Sequence, residues 1–302
     1  MDKNKHLFFM RKLLQEFYRD PLLASELKFK GGTAAMFFHG LPRFSTDLDF
    51  NLTDKKNQKA VFERIRQIVS KNDKILDCAN KLFGPLVVLD YGSGERNLKI
   101  EVSNRVFDNH YTLHGLGSLV VPVLETQDML THKLCAMLER NAPRDVFDVW
   151  FFLSKGWALN ENIIRERTGI DTGKFLSQCL KCLDKANPAD MMMEIGELLD
   201  DSMKPFVRKD LIAEAKELLH GYIEYPIIAD VVVNSHTALL FSDEKLLPAF
   251  LKSRIDPSTV SEKKLEGILS GIPTLVRNRK GDNVNVHRVG GRIKISGGLS
   301  LE

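Results

Sequence analysis

The sequence predicts a mixed α/β (α+β) fold. A small mixed sheet covered by helices occupies residues 1–124, a helical region follows over 125–225, and a less regular extension with a basic tail runs over 226–302. Three observations predict it. Up to Leu124, segments of period-two alternation interleave with segments whose apolar residues recur every three to four positions. From Glu125 the pattern is helical throughout, until Tyr225-Pro226 ends it. Within residues 27–52, a glycine pair joins a short strand pattern to a helix pattern, and a second strand pattern follows.

Taking the elements in order, residues 27–30 (LKFK) read as a strand, and Gly31-Gly32 break it into a helix carrying Ala34, Ala35, Phe37 and Phe38. A helix that starts on small residues exposes free N–H groups at its positive dipole end, which suits a phosphate. A plain tight turn is the alternative. Asp47, Leu48, Asp49, Phe50 and Leu52 then read as a strand, with Asp47 and Asp49 on one face and Leu48, Phe50 and Leu52 divided between the two. Two such carboxylates repel unless a cation lies between them, and a hard ion such as Mg²⁺ suits oxygen ligands beside substrate phosphates. The alternative is a solvated strand face. Ser45 and Arg43 precede the pair as hydroxyl and guanidinium donors for a phosphate, although Arg43 reads equally as a surface arginine.

Residues 84–89 and 97–102 read as two strands joined by a glycine-rich turn at 91–94. In the second, Leu98, Ile100 and Val102 alternate with Lys99 and Glu101, so Glu101 is the candidate third carboxylate. An exposed Lys/Glu pair is the alternative. Thr126–Arg140 reads as a helix with Thr126 as N-cap and a stripe of Leu130, Leu134, Met137 and Leu138. Lys133 lies beside that stripe, where it either snorkels to a rim or offers a point charge to a triphosphate. The next helix begins at Pro143, buries Val146, Val149, Trp150 and Leu153, and carries Arg144, Asp145 and Asp148. There Arg144 can pair with Asp148 one turn on, and Asp145 shares a face with Asp148. Further helices are expected over 161–167, 172–183, 191–200, 209–220, 244–252 and 261–269. Residues 230–233 are strand or helix.

The composition is that of a globular protein: 302 residues, 43% hydrophobic and 27% charged, with room for one large domain or two. The N-terminus has no secretory pattern, and no apolar run approaches a membrane span, so a cytoplasmic location is expected. Cys179-Leu-Lys-Cys182 lacks a second ligand pair, and buried reduced thiols are expected at all four cysteines. The net charge of +3 conceals a basic tail: Arg277, Arg279, Lys280, Arg288, Arg292 and Lys294 stand against Asp282 and Glu302. Residues 284–289 and 292–296 flank Gly290-Gly291, a dipeptide suited to a hairpin turn. This is either a solvated hairpin or a basic arm for a nucleic-acid backbone.

GGTAAMFF, RFSTDLDF, KIEV, ETQDMLTHKL and RNAPRDVFDVW, in this order, resemble the AbiEii/AbiGii-type nucleotidyltransferase toxins of bacterial abortive-infection and type IV toxin–antitoxin systems. The ordered motifs cover about the first half of the chain. In that family a Ser precedes an Asp-x-Asp pair, here Ser45, Asp47 and Asp49. An acidic residue in an apolar strand follows, commonly Asp, here Glu101. Next comes a helical Lys, here Lys133, and then Arg, a basic–Asp pair and a further Asp, here Arg140, Arg144, Asp145 and Asp148. The chain departs twice, with Glu for Asp at Glu101 and Arg for Lys at Arg144, and keeps the charge both times.

The resemblance implies a polymerase-β-like nucleotidyltransferase domain. Asp47, Asp49 and Glu101 would hold two Mg²⁺ ions about 3.5–4 Å apart, and Gly31, Gly32 and Ser45 would cradle phosphates. Lys133 would anchor the triphosphate, Asp145 would orient Lys133 or a substrate hydroxyl, and Arg144 and Asp148 would complete the nucleotide site. The implied partners are an NTP donor, an RNA acceptor (the tRNA acceptor end) and a cognate antitoxin of winged-helix type, with no membrane. Rival readings are an aminoglycoside-type or protein nucleotidyltransferase, or a catalytically idle partner in a defence complex.

Overall fold

A computed structural model describes residues 2–71, 74–92, 96–140 and 142–224, together with the backbone of five short strands beyond them. The described chain forms two compact units. The first is Met1–Met129 with Ile195–Lys204; the second is Leu130–Glu194 with the described residues from Pro205 onward.

The first unit opens with α1 (Lys3–Arg19), whose start is capped by the Asp2 carboxylate accepting from the Lys5 N–H, and α2 (Pro21–Glu26). There follow β1 (Leu27–Lys30), α3 (Gly31–His39), β2 (Asp47–Leu52), α4 (Gln58–Val69), β3 (Lys74–Lys81), β4 (Gly84–Asp90), β5 (Leu98–Ser103), β6 (Tyr111–Leu116) and β7 (Leu119–Leu124). The strands make one mixed seven-stranded sheet in the order β3-β4-β5-β2-β1-β7-β6. β2 lies antiparallel to β1 and parallel to β5, and β1 lies parallel to β7. This is the mixed α/β class expected.

Phe50 of β2 packs on Phe17 of α1 and Phe29 of β1, with ring centroids 6.0 and 5.3 Å apart. Each ring is fully buried, a burial that contributes roughly 1.5–3 kcal/mol per side chain. Leu48, Phe50 and Leu52 therefore do not divide between the faces. All three are buried on the α1 side, as a strict period of two requires.

The second unit contains most of α5 (Thr126–Arg140), then α6 (Pro143–Ser154), α7 (Glu161–Thr168), α8 (Thr172–Asp184), α9 (Pro188–Ile195), α10 (Lys204–Lys209, whose first residue lies in the first unit) and α11 (Leu211–Glu224). The N-cap of α5 is Glu125 rather than Thr126, since the Glu125 carbonyl accepts the first helical bond, from Met129. The helix expected over 191–200 starts earlier, at Pro188, and stops at Ile195 before Gly196. Val146, Phe147, Val149 and Phe152 of α6 are buried, and the Tyr222 hydroxyl of α11 donates to the Trp157 carbonyl at 2.7 Å. All four cysteines are free thiols.

Beyond α11 the described strands are β8 (Val231–Val232), β9 (Ala238–Phe241), β10 (Leu275–Asn278), β11 (Asn283–Val289) and β12 (Arg292–Ser296). β11 and β12 pair antiparallel, with Val289 opposite Arg292 and His287 opposite Lys294, the register expected about Gly290-Gly291. Residues 93–94 of the expected turn, residues 290–291, and the helices expected over 244–252 and 261–269 lie outside the described residues.

Candidate active site

With Leu48 and Phe50 turned into the core, Asp47 and Asp49 project from the opposite face of β2. The register brings three more charges to that face. Lys30 of β1 stands opposite Asp49, while Lys99 and Glu101 of β5 stand beside Asp47 and Asp49 respectively. Lys99 Nζ lies 3.0 Å from Glu101 Oε2 and 3.7 Å from Asp47 Oδ2. Burial, then the charge of Asp47, pushes the Asp49 carboxyl above its ordinary range, against the opposing charges of Lys30 and Lys99. Burial would raise Glu101 too, but its hydrogen bond and charge pairing with Lys99 hold it low.

The glycine pair makes room for this chemistry. Gly31 has φ +79°, and a β-carbon there would stand 2.5 Å from Asp49 Oδ2. A β-carbon on Gly32 would stand 2.8 Å from an Arg43 guanidinium nitrogen and 2.9 Å from Ser45 Oγ. The first turn of α3 thus lies against the Asp49 carboxylate, the Arg43 guanidinium and the Ser45 hydroxyl. Arg43 is no surface arginine; it is buried and donates to the Phe44 carbonyl at 3.0 Å. Buried Thr33 bonds the Asp47 carbonyl through its hydroxyl, which also lies 2.9 Å from Ser45 Oγ.

His6 of α1 holds the residue just before Asp47. Its Nε2 lies 2.9 Å from the Thr46 carbonyl, which can only accept, so Nε2 carries the proton. Nδ1 then accepts from the Tyr91 hydroxyl at 2.5 Å. The residue between Ser45 and Asp47 is therefore fixed by a neutral, fully buried imidazole. Burial, its largest cause, keeps the His6 pKa low.

The donor set suits Mg²⁺ chemically, with two hard carboxylates on one face and one of them disfavoured as an anion until a cation arrives. Among the described residues, no group of three or more His, Cys, Asp or Glu side chains is disposed to hold a metal. Glu101, the expected third ligand, has its carboxylate on Lys99 instead.

The remaining motif residues gather in the second unit. Lys133 Nζ lies 2.7 Å from Asp148 Oδ2 and 3.0 Å from Asp145 Oδ1. Arg140 donates to both oxygens of Asp145, at 2.6 and 2.8 Å. Both aspartates are fully buried and only 15% of the Lys133 side chain is exposed, so this lysine does not snorkel. Two cations face two anions, and the carboxylates hold Lys133 in one position. Burial opposes the charge on Asp145, but the Arg140 hydrogen bond and the charges of Lys133 and Arg140 outweigh it and keep that carboxyl low. Arg144 does not take Asp148; it lies 3.6 Å from Glu194, because Asp148 points into the unit while Arg144 faces outward.

Sequence reasoning missed Thr33 and His6 and read Lys99 only as an exposed neighbour of Glu101. A threonine or a histidine on an amphipathic helix carries no signal of its own. The role of Lys99 emerges only from the β2–β5 register.

A family model described as nucleotidyl transferase AbiEii toxin, type IV TA system, matches residues 12–204. No curated protein matches the chain. Among solved structures, JHP933 from Helicobacter pylori is similar, at 20% identity and TM-score 0.44, covering 74% of this chain and 93% of that one. MenT4, a nucleotidyltransferase toxin from Mycobacterium tuberculosis H37Rv, is similar at 16% identity and TM-score 0.46, covering 89% and 92%. An antigenic nucleotidyltransferase-like protein from Paracoccidioides brasiliensis is similar at 10% identity and TM-score 0.38, covering 59% and 87%.

Proposed function

Taking as premise that this chain belongs to the AbiEii family of nucleotidyl transferase toxins of type IV toxin–antitoxin systems, we propose that it transfers a nucleoside monophosphate from an NTP to an acceptor hydroxyl of RNA. The favoured acceptor is the 3′ end of tRNA. The observation that carries this reading is the Asp47–Asp49 pair, set on one strand face against the Gly31-Gly32 start of α3.

Asp47 and Asp49 would hold Mg²⁺, with Glu101 of the neighbouring strand as a third carboxylate. When bound, that cation lowers the pKa of the acceptor hydroxyl and offsets charge on the triphosphate. The acceptor hydroxyl gives up its proton to solvent, its oxygen bonds to the α-phosphorus, the bond between that phosphorus and the α,β-bridging oxygen breaks, and pyrophosphate leaves. The first N–H groups of α3 and the Ser45 hydroxyl bind phosphate oxygens. Arg43 supplies positive charge beneath them. Lys133 is the further cation assigned to the nucleotide, and Arg144 of the following helix is assigned to it as well; Asp145 and Asp148 serve by fixing Lys133 rather than by touching substrate, since neither is exposed.

The same reading gives the chain a cognate antitoxin, a winged-helix protein, and places it in the cytoplasm in phage defence. Among the described residues no helix is long and apolar enough to cross a membrane.

The test is to incubate the purified protein with each labelled NTP and total RNA in Mg²⁺. We expect label on RNA with wild type and none with Asp49→Ala, whose metal-free stability should be unchanged or higher because a repelling carboxylate is gone. Label on protein, or on a small acceptor alone, would transfer the reading to the corresponding nucleotidyltransferase class. Full activity of Asp49→Ala would overturn the site.

A further inference from the structure

Three carboxylates on adjoining strands of one sheet face need counter-charge, and the sequence supplies two cations from within: Lys30 of β1, opposite Asp49, and Lys99 of β5. Lys99 projects from the same face as Glu101, two residues away, and the parallel register sets it beside Asp47. Its ammonium lies 3.0 Å from Glu101 and 3.7 Å from Asp47. A divalent ion shared by Asp47, Asp49 and Glu101 would need the oxygens that this ammonium faces. With Glu101 drawn onto Lys99, the described residues offer no three-carboxylate cluster. The pair is partly exposed, 34% for the Lys99 side chain and 52% for that of Glu101. It differs from an ordinary surface pair in standing on a central strand, with its lysine also reaching the first carboxylate of the Asp-x-Asp pair.

We propose that Lys99 is a resident counter-ion of the carboxylate face. It holds Glu101 away from Asp47 and Asp49, and a divalent cation must displace it to gain the third carboxylate. Lys99 is then a positioning residue, acting through Glu101 and Asp47 rather than on substrate. Because a divalent cation and the ammonium repel at such distances, the lysine sets how tightly the face binds metal. It also protects the metal-free protein from its own carboxylate repulsion. The inference rests on the reading of Asp47 and Asp49 as metal ligands.

Mn²⁺ alone is the probe, its affinity read by electron paramagnetic resonance and calorimetry on the full-length wild type and on Lys99→Met, Lys99→Gln and Lys99→Arg. We expect Lys99→Met and Lys99→Gln to bind Mn²⁺ at least about tenfold more tightly. They should also melt lower than wild type without metal and recover when Mn²⁺ is added. Lys99→Arg keeps the charge and should behave as wild type. Unchanged or weaker Mn²⁺ binding by both neutral variants, with wild type binding normally, would overturn the role of Lys99 and leave the metal site standing. Absence of Mn²⁺ binding in wild type and in every variant would overturn the metal reading itself, and this inference with it.

Discussion

A β-carbon on Gly31 would stand 2.5 Å from Oδ2 of Asp49, inside any real carbon–oxygen contact. The glycine at the head of α3 and the second carboxylate of β2 are thus packed as one unit. Its φ of +79° adds a second reason for glycine there.

Gly31→Ala should therefore destabilise the protein by about 1–3 kcal/mol through backbone strain, with the steric displacement of Asp49 in addition. Denaturant unfolding of the single variants and of Gly31→Ala/Asp49→Ala separates the two. The double variant should be less destabilised than the sum, because the contact with Oδ2 is gone while the backbone strain and the 3.0 Å approach to the β-carbon of residue 49 persist. Additivity within about 0.5 kcal/mol would show that the two residues do not press on one another.

That contact also marks how far the sequence could be read. The alternation DLDFNL and the Gly-Gly break were visible because they are local: a period of two and a missing side chain. Thr126–Arg140 and Pro143–Ser154 were visible because their apolar stripes repeat over several turns. The partners were not visible. Nothing in DMLTHKL says that Lys133 is met by two fully buried carboxylates of the following helix, since this depends on how α5 and α6 pack. Nor does KIEV reveal that β5 runs parallel to β2 with Lys99 beside Asp47, a register set by a crossover through α4, β3 and β4. β3 (KILDCANK) was not singled out; it is an edge strand with a largely exposed, polar pattern.

Lys133→Met removes the ammonium that both Asp145 and Asp148 face. Breaking a buried pair from one side costs about 3–5 kcal/mol, whereas an exposed rim lysine would cost nearly nothing. Adding Asp148→Asn should recover part of the loss. Asp145, held below its ordinary 3.8, contributes stability that is fully present above 3.8 and is lost as pH falls from there through the depressed folded value. Denaturation midpoints across that acid window should fall less steeply in Lys133→Met. An equally stable Lys133→Met with an unchanged acid limb would contradict the packing described.

His39 titrates in the same direction for a different reason. Burial, then the imidazole of His114 with ring centroids 5.4 Å away, lowers it from 6.5 to about 4. The unfolded chain takes the proton first as pH falls. Stability is therefore full above 6.5 and is lost as pH falls from 6.5 through about 4, by at most about 3 kcal/mol given the partial exposure of the ring. His39→Gln should flatten this part of the pH–stability curve while His6, also lowered, keeps a residual slope. Midpoints for wild type and variant that fall in parallel from neutral pH to pH ~5 would remove His39 from the account.

The acceptor is the last test. If the tail contacts RNA through Arg279, Arg288, Arg292 and Lys294, deleting residues 271–302 should raise the acceptor KM and flatten the salt dependence of RNA binding. The log–log salt slope should shrink by roughly 0.7–0.9 for every phosphate the tail had neutralised. NTP binding should be untouched, because its phosphate groups are assigned to Gly31, Gly32 and Ser45 in another part of the chain. Neutralising Arg292 and Lys294 alone, both on β12, should give an intermediate slope if each touches a phosphate. A truncated enzyme with the same slope and the same acceptor KM would instead make the tail a solvated appendage. RNA recognition would then have to come from cations elsewhere in the chain, with the helices after Glu125 the first place to neutralise them.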